Sequence, residues 1–313
     1  MSVLSSRSPV CPGAAPAALP GLLCIGSVLW DVIGRSPAHL TLGSDVPGRI
    51  TRLPGGVAMN IAMTLRRFGL APALLSTIGR DPEGDELVAE LERQGLDLRF
   101  LYRSDDLPTD LYMAIEGGNG LIAAIADAHS LEAAGAKILA PLHDGRLGSA
   151  RQPFAGTIAL DGNLTASLLA DIAADPAFAS ADLRIAPASP GKADRLLPLL
   201  THPRAVLYVN LHEAGLLAHR PFESASEAAA GLVARGAQRV LVTDGASPAA
   251  EASADGDSRT AQPPPVLVTR VTGAGDTFMA AHMRAERDGA DRDTALQAAL
   301  SAAAIYISGG QPA

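Results

Sequence analysis

The sequence predicts an α/β fold in which a central, mainly parallel sheet is covered by helices on both faces, with a small β-flap over one edge. Two observations predict it. Short apolar runs of strand length alternate with helix-length stretches whose apolar residues recur every three to four positions. Two inserts, at about residues 35–54 and 98–126, are instead broken by Gly and Pro and read as hairpins, which suits a flap outside the main sheet. The expected division is a flexible segment over residues 1–20, rich in Pro, Ala and Ser, then one domain over residues 21–313 containing both inserts.

Taken in order, residues 22–29 (LLCIGSVL) predict a buried strand ending near Asp31. Residues 57–68 predict a helix, because Val57, Ile61, Leu65 and Phe68 share one face. Residues 74–78 predict a short strand, and residues 84–94 a helix that groups Leu87, Val88 and Leu91. In the second insert Gly117-Gly118-Asn119-Gly120 marks a hairpin, since Gly and Asn accept the positive φ of a tight turn. The alternation then becomes regular, with strands at 158–160, 206–209 and 240–243 and helices at 165–174, 224–235, 275–287 and 293–307. Residues 246–265, rich in Ala, Ser, Asp and Pro, predict a loop or a weak hairpin, and no internal repeat is present.

A chain of 313 residues, 48% hydrophobic and 19% charged, can bury a large core. Its net charge of −8 argues against a nucleic-acid partner, although a local pocket can still admit an anion. Two cysteines, Cys11 and Cys24, do not make a disulfide framework and fit a reducing compartment. Residues 1–20 lack a continuous apolar core of the secretory kind, and no run of ~18 apolar residues occurs, so a cytoplasmic protein without a membrane partner is expected. The seven histidines show no metal-ligand spacing with the cysteines.

Open parallel sheets bind ligands where strands give way to helix N-termini, and the unusual residues fall at such junctions. The strongest segment is Val271-Thr272-Gly273-Ala274-Gly275-Asp276-Thr277-Phe278, just before a helix. Glycines there let backbone N–H groups converge, and the helix N-terminus favours anions. Asp276 can then take a proton from an attacking hydroxyl as a phosphoryl group passes to it. Taken alone, GAGD reads equally as a Gly-rich cap. Asn210 and Glu213, one helical turn apart, suit either a capping box or a hard cation that keeps part of its water. Asp31, at the end of the first strand, can accept from two vicinal hydroxyls, while Gly55, Gly56 and Asn60 permit close backbone approach and supply an amide. Trp30 lies beside Asp31, either in the core or at the pocket edge. A dehydrogenase is disfavoured, because no G-x-G-x-x-G follows the first strand.

These segments together resemble the PfkB/ribokinase family of kinases. VTGAGDTF is similar to its C-terminal signature, and Gly55-Gly56-Val57-Ala58-Met59-Asn60-Ile61-Ala62 to its N-terminal one. Gly79-Arg80-Asp81-Pro82-Glu83-Gly84, Asn210-Leu211-His212-Glu213 and Val242-Thr243-Asp244-Gly245 resemble three further family blocks, in family order. The resemblance implies a ribokinase-like fold with a lid, ATP as phosphoryl donor and Mg²⁺, with a monovalent cation left open. It implies Asp276 as base and Gly273, Ala274 and Gly275 as the anion hole. Thr272, Asn210, Thr243 and Gly245 would face the nucleotide, Glu213 and Asn210 the Mg²⁺ through water, and Asp31, Gly55, Gly56 and Asn60 the acceptor.

Valine at 271, the stretch 123–131 (AAIADAHSL), Leu160-Asp161-Gly162-Asn163-Leu164 and residues 187–192 (PASPGK) look like the pseudouridine kinase subgroup. That resemblance implies pseudouridine as acceptor and adds Asp127 and Asn163 to the acceptor side, with the Asn163 amide pairing with a uracil edge. Ribose or another nucleoside is the alternative, and a catalytically inactive nucleotide- or sugar-binding regulator is the alternative of another class. Arg270-Val271 stands where the family carries Asp-Thr, and Ala128, His129 and Arg184 depart from the subgroup. An exposed flap edge would suit a homodimer contact.

Overall fold

The computed structural model describes residues 19–312 apart from 42 and 44; residues 1–18, nearly all of the expected flexible segment, lie outside the described residues, as does 313. The chain runs through β1 (Leu22–Ile25), β2 (Leu29–Arg35), β3 (Arg49–Gly55), α1 (Val57–Arg67), β4 (Ala73–Leu75), β5 (Thr77–Gly79) and α2 (Pro82–Arg93). It continues through β6 (Tyr102–Ser104), β7 (Leu111–Gly117), β8 (Gly120–Asp127), α3 (His129–Ala134), β9 (Thr157–Asp161), α4 (Ala166–Ala174) and β10 (Asp182–Ala186). It closes with β11 (Ala205–Asn210), α5 (Leu211–Ala218), α6 (Ala225–Ala234), β12 (Arg239–Asp244), β13 (Ser247–Ser253), β14 (Ser258–Ala261), α7 (Ala274–Arg287) and α8 (Arg292–Ile307).

The main sheet has the order β14-β13-β12-β11-β10-β9-β1-β4, parallel from β4 to β12 and antiparallel through the β13–β14 hairpin at its edge. Successive side chains of a strand point to opposite faces. Leu23, Ile25, Ile158, Leu160, Leu207 and Val209 accordingly join one buried cluster, while Cys24, Ala159, Val206 and Tyr208 join the other. Two covered faces require apolar residues at every strand position, which is why these strands read as unbroken apolar runs. On the second face α7 is tied to the sheet by ion pairs from Glu286 to Arg184 and to Arg239, the latter at 2.5 Å. Arg184 also bonds Asp182 and the Tyr208 hydroxyl. Its departure from the subgroup pattern therefore serves packing at this face.

The flap is a separate sheet of order β3-β2-β7-β8. Gly117 and Gly120 pair across its outer hairpin as the Gly-Gly-Asn-Gly signal anticipates, with Gly120 at φ +92°. The sequence placed its inner boundary wrongly. Residues 22–29 do not form one strand: the run breaks at Gly26 and Ser27, and residues from Leu29 onward cross into the flap, so Asp31 sits on β2 and not at the end of β1. Residues 74–78 likewise divide at Ser76 between β4 and β5, and β6, from the second insert, pairs with β5 outside the flap. Strand β10 and helix α3 were not anticipated, α5 starts at the capping box that Asn210 and Glu213 offered as one reading, and residues 246–265 hold the edge hairpin.

Local chemistry explains the entry to α2. Asp81 caps it by accepting from the Gly84 N–H at 2.7 Å, Pro82 occupies its first turn, and Asp81 also accepts from the Thr109 N–H and hydroxyl. A Cβ on Gly84 would lie 2.2 Å from the Gly79 carbonyl oxygen, so glycine is required there. The Asp-Pro-Glu-Gly block thus anchors the segment leading into β7. Cys24 is a buried free thiol. No helix among the described residues is long and apolar enough to cross a membrane.

Candidate active site

The site is assembled where β1, β9 and β11 end and α1, α5 and α7 begin. Helix α1 has no side-chain cap of its own. Instead Ser27 Oγ accepts from the Val57 N–H at 2.9 Å, and the Ser27 carbonyl accepts from the Met59 N–H at 3.3 Å. Ser27 in turn donates from its hydroxyl (2.5 Å) and its N–H (2.8 Å) to Asp161, which is fully buried. Gly26 makes this possible, since a Cβ there would lie 2.2 Å from the Asp161 Cβ. The same crowding pinches the chain after β1 and sends it into the flap.

Helix α7 follows Gly273, held at φ +87° with no side-chain cap; the Ala274 N–H is already given to the Val271 carbonyl at 3.0 Å, so of the expected anion-hole amides those of Gly273 and Gly275 are left for a ligand. Gly275 has open space where a Cβ would stand, which keeps the approach clear. Asp276, in that first turn, accepts from Asn60 Nδ2 of α1 at 2.9 Å. Burial first, then the charges of Asp161, Asp31 and Glu213, push its carboxyl up to about 7 against the opposing effect of the Asn60 donor. Asp31 reaches the same place from β2, and burial raises it to about 6. It packs so closely on Gly55 that a Cβ at 55 would lie 2.2 Å from its carboxylate. A carboxyl poised near neutrality beside an uncapped helix N-terminus can accept a proton at physiological pH next to a bound anion.

Asp276, Gly273, Ala274, Gly275, Asn60, Asp31, Gly55 and Gly56 therefore converge. Asn210 and Glu213 lie at the start of α5 as a complete capping box, the Glu213 charge acting on Asp276. Asn210 N–H donates to Glu213 Oε2 and Glu213 N–H to Asn210 Oδ1, both at 2.9 Å. Burial raises the Glu213 carboxyl. Asn210 pairs in register with Thr243 of β12, and Gly245 follows with φ +56°, so these residues share the carboxyl edge of the sheet. Thr272 uses its carbonyl to accept from the Tyr306 hydroxyl at 3.0 Å.

The remaining acceptor-side candidates, Asn163 and Asp127, lie apart from this group. Asn163 is buried with its amide spent internally: Nδ2 donates to Asp161 and to Ser27 Oγ, each at 2.9 Å, and Oδ1 accepts from Lys192 Nζ at 2.5 Å. Both ends of its amide are engaged within the protein rather than aimed at a base edge. Asp127 ends the outer flap strand β8, where it is exposed and bonded to His129 Nδ1 at 2.7 Å, and it shares its charged surroundings with Asp110. Trp30 is buried and donates to the Glu83 carbonyl, under the Arg52 guanidinium. Sequence reasoning missed Ser27, Asp161 and Lys192. Asp161 lay inside a segment already singled out, but only the packing of β9 against β1 reveals what it holds. A hollow of about 350 Å³ lined by Val88, Glu92, Leu96 and Arg99 touches none of these groups.

The description pfkB family carbohydrate kinase matches residues 20–312. The chain is 28% identical over 264 residues to a pseudouridine kinase of Escherichia coli, covering 83% of this chain and 81% of that one. It is 30% identical over 100 residues to a pseudouridine kinase of Arabidopsis thaliana, a match spanning 32% of this chain and only 26% of the relative. The solved structure of Arabidopsis thaliana ribokinase complexed with ribose and ATP superposes with a TM-score of 0.74 at 20% identity, covering 93% of each chain, a likeness of ribokinase-like fold. With the match running nearly end to end, the chain belongs to the pfkB family of carbohydrate kinases.

Proposed function

We propose that the protein transfers the γ-phosphoryl group of ATP to a primary hydroxyl, with the 5′-hydroxyl of pseudouridine as preferred acceptor and pseudouridine 5′-phosphate as product. The observation that carries this is the meeting of Asp276 with Asn60 at the uncapped start of α7, beside Asp31 from the flap. Asp276 takes the proton of the attacking hydroxyl as the new O–P bond forms and the bond to the departing ADP breaks. The amides at Gly273 and Gly275 hold the migrating group, with Ala274 between them tied back to the Val271 carbonyl, and its transfer is governed by positioning and charge. Asn60 keeps the Asp276 carboxylate aimed, and Asp31 accepts from hydroxyls of the acceptor, with Gly55 and Gly56 admitting it closely.

Mg²⁺ fits this site through water. The charges of Asp161, Asp31 and Glu213 all bear on Asp276, which favours a cation nearby, yet no three acidic, His or Cys side chains among the described residues converge to clasp a bare ion. Asn210 and Glu213, half engaged by their capping box, would hold the hydrated ion, which when bound supplies charge neutralisation for the phosphates. Thr243, Gly245 and Thr272 would border the nucleotide.

The names of the Escherichia coli and Arabidopsis relatives support the choice of acceptor. The inward commitment of Asn163 keeps ribose, or another nucleoside, as the second choice. A panel of acceptors with ATP and Mg²⁺ tests this: kcat/KM should be highest for pseudouridine, and faster turnover of ribose or adenosine would reject it. Equal, near-zero ATP consumption by the parent and Asp276→Asn on every acceptor would favour a binding regulator instead. The flap supports a homodimer: Ile50, Met113, Ile115 and Ile125 are exposed on the face opposite Asp31.

A further inference from the structure

The strap from residue 262 to 272 joins β14 to α7 without regular structure and leads directly into the anion hole. It is fastened to the last turn of α8. The Thr269 N–H and hydroxyl donate to the Ile307 carbonyl at 2.8 and 3.0 Å, and Arg270 N–H donates to the same oxygen at 3.2 Å. The Arg270 side chain reaches further: Nε donates to the Tyr306 carbonyl at 2.8 Å and one terminal nitrogen to the Gly310 carbonyl at 2.7 Å. Its guanidinium lies 3.8 Å from the centre of the Tyr306 ring, and the Tyr306 hydroxyl donates to the Thr272 carbonyl. That hydroxyl also packs against Gly273, where a Cβ would lie 2.6 Å away. Arg270, Tyr306 and Gly273 are thus in one chain of contacts that ends at the first amides of α7.

The final carbonyls of a helix have no partner within it and carry the negative end of its dipole, so they attract a cation. A loose monovalent ion that stiffened this strap would have to be held by the carbonyls of Tyr306, Ile307 and Gly310. A guanidinium of fixed positive charge already takes two of them, and a second cation would meet it at contact distance. The residues present therefore do not fit a monovalent cation here. We propose that Arg270 is a positioning residue, a built-in cation that holds the strap and the Gly273–Gly275 amides in place, so that transfer by this chain needs no added monovalent cation. This rests on the phosphoryl-transfer function proposed above, and residue 270 is where the chain departs from the family pattern.

The test begins with the parent enzyme, ATP and Mg²⁺, in a tetramethylammonium buffer free of potassium, sodium and ammonium. If no acceptor supports ATP turnover there or in potassium, the proposed function fails and not this inference. Given turnover, kcat and the thermal midpoint should be unchanged when potassium replaces tetramethylammonium. Activation by potassium of about tenfold or more overturns the proposal. Arg270→Ala should lower kcat by about 10- to 100-fold at unchanged acceptor KM, with partial recovery on adding guanidinium or potassium, and Arg270→Lys should fall between. An unchanged kcat, or a loss confined to the thermal midpoint, overturns it. Should Arg270→Ala not fold, Arg270→Lys and the potassium response of the parent still decide.

Discussion

Asp276→Asn exchanges the ionisable carboxyl for a neutral group of the same shape that can still accept from Asn60. The carboxyl is displaced from 3.8 to about 7, so ionising it in the folded chain above that pH costs at most ~4 kcal/mol more than in the unfolded chain. Asp276 is only half-buried, and water reaching it reduces this to about 1–2 kcal/mol. Because the folded value lies above the unfolded one, the stability the carboxyl contributes is present below its ordinary 3.8 and is lost as pH rises through about 7. The asparagine variant has no such loss. It should therefore be more stable than the parent by about 1–2 kcal/mol at pH 8, by less at pH 5, while kcat falls by ~10²–10⁴. Urea unfolding followed by circular dichroism across that pH range, with unchanged slope m, measures the gap. A gap that does not grow with pH, or a variant less stable than the parent at pH 8, would refute the reasoning that this carboxyl is held in an unfavourable ionised state.

Asn60→Ala removes the donor that favours ionised Asp276, so the rising limb of the kcat–pH profile should move to higher pH by about one unit; a profile that stays put argues that Asn60 does not act through Asp276. Gly55→Ala drives a methyl into the Asp31 carboxylate and should raise the acceptor KM about tenfold while leaving the ATP KM alone, measured by initial rates with each substrate varied. Asp161→Ala strands the Ser27 hydroxyl and the Asn163 amide without their acceptor and should destabilise the fold by about 3 kcal/mol in denaturant unfolding. Ile50→Glu with Ile125→Glu should convert a dimer into a monomer by light scattering, and an unchanged mass would remove the flap face as the contact.

What the sequence determined on its own was whatever depends on neighbours along the chain. The 3.6-residue pattern of Val57, Ile61 and Leu65 and the glycine signals at 117–120 both report local backbone chemistry, and each stands in the structure. So does the placing of Asp276 at the first turn of α7. Tertiary structure decided the matters in which distant segments compete for one space. The break after β1 follows from Asp161, 134 residues away, claiming Ser27 and leaving no room for a side chain at Gly26. The inward turn of Asn163 follows from Lys192 and Asp161, and the hold of Arg270 on Tyr306 from a helix end folded back beside the strap. A carboxylate's range is likewise set by the burial and charges around it, which is why the positions of Asp276 and Asp31 in sequence did not reveal how far each would rise.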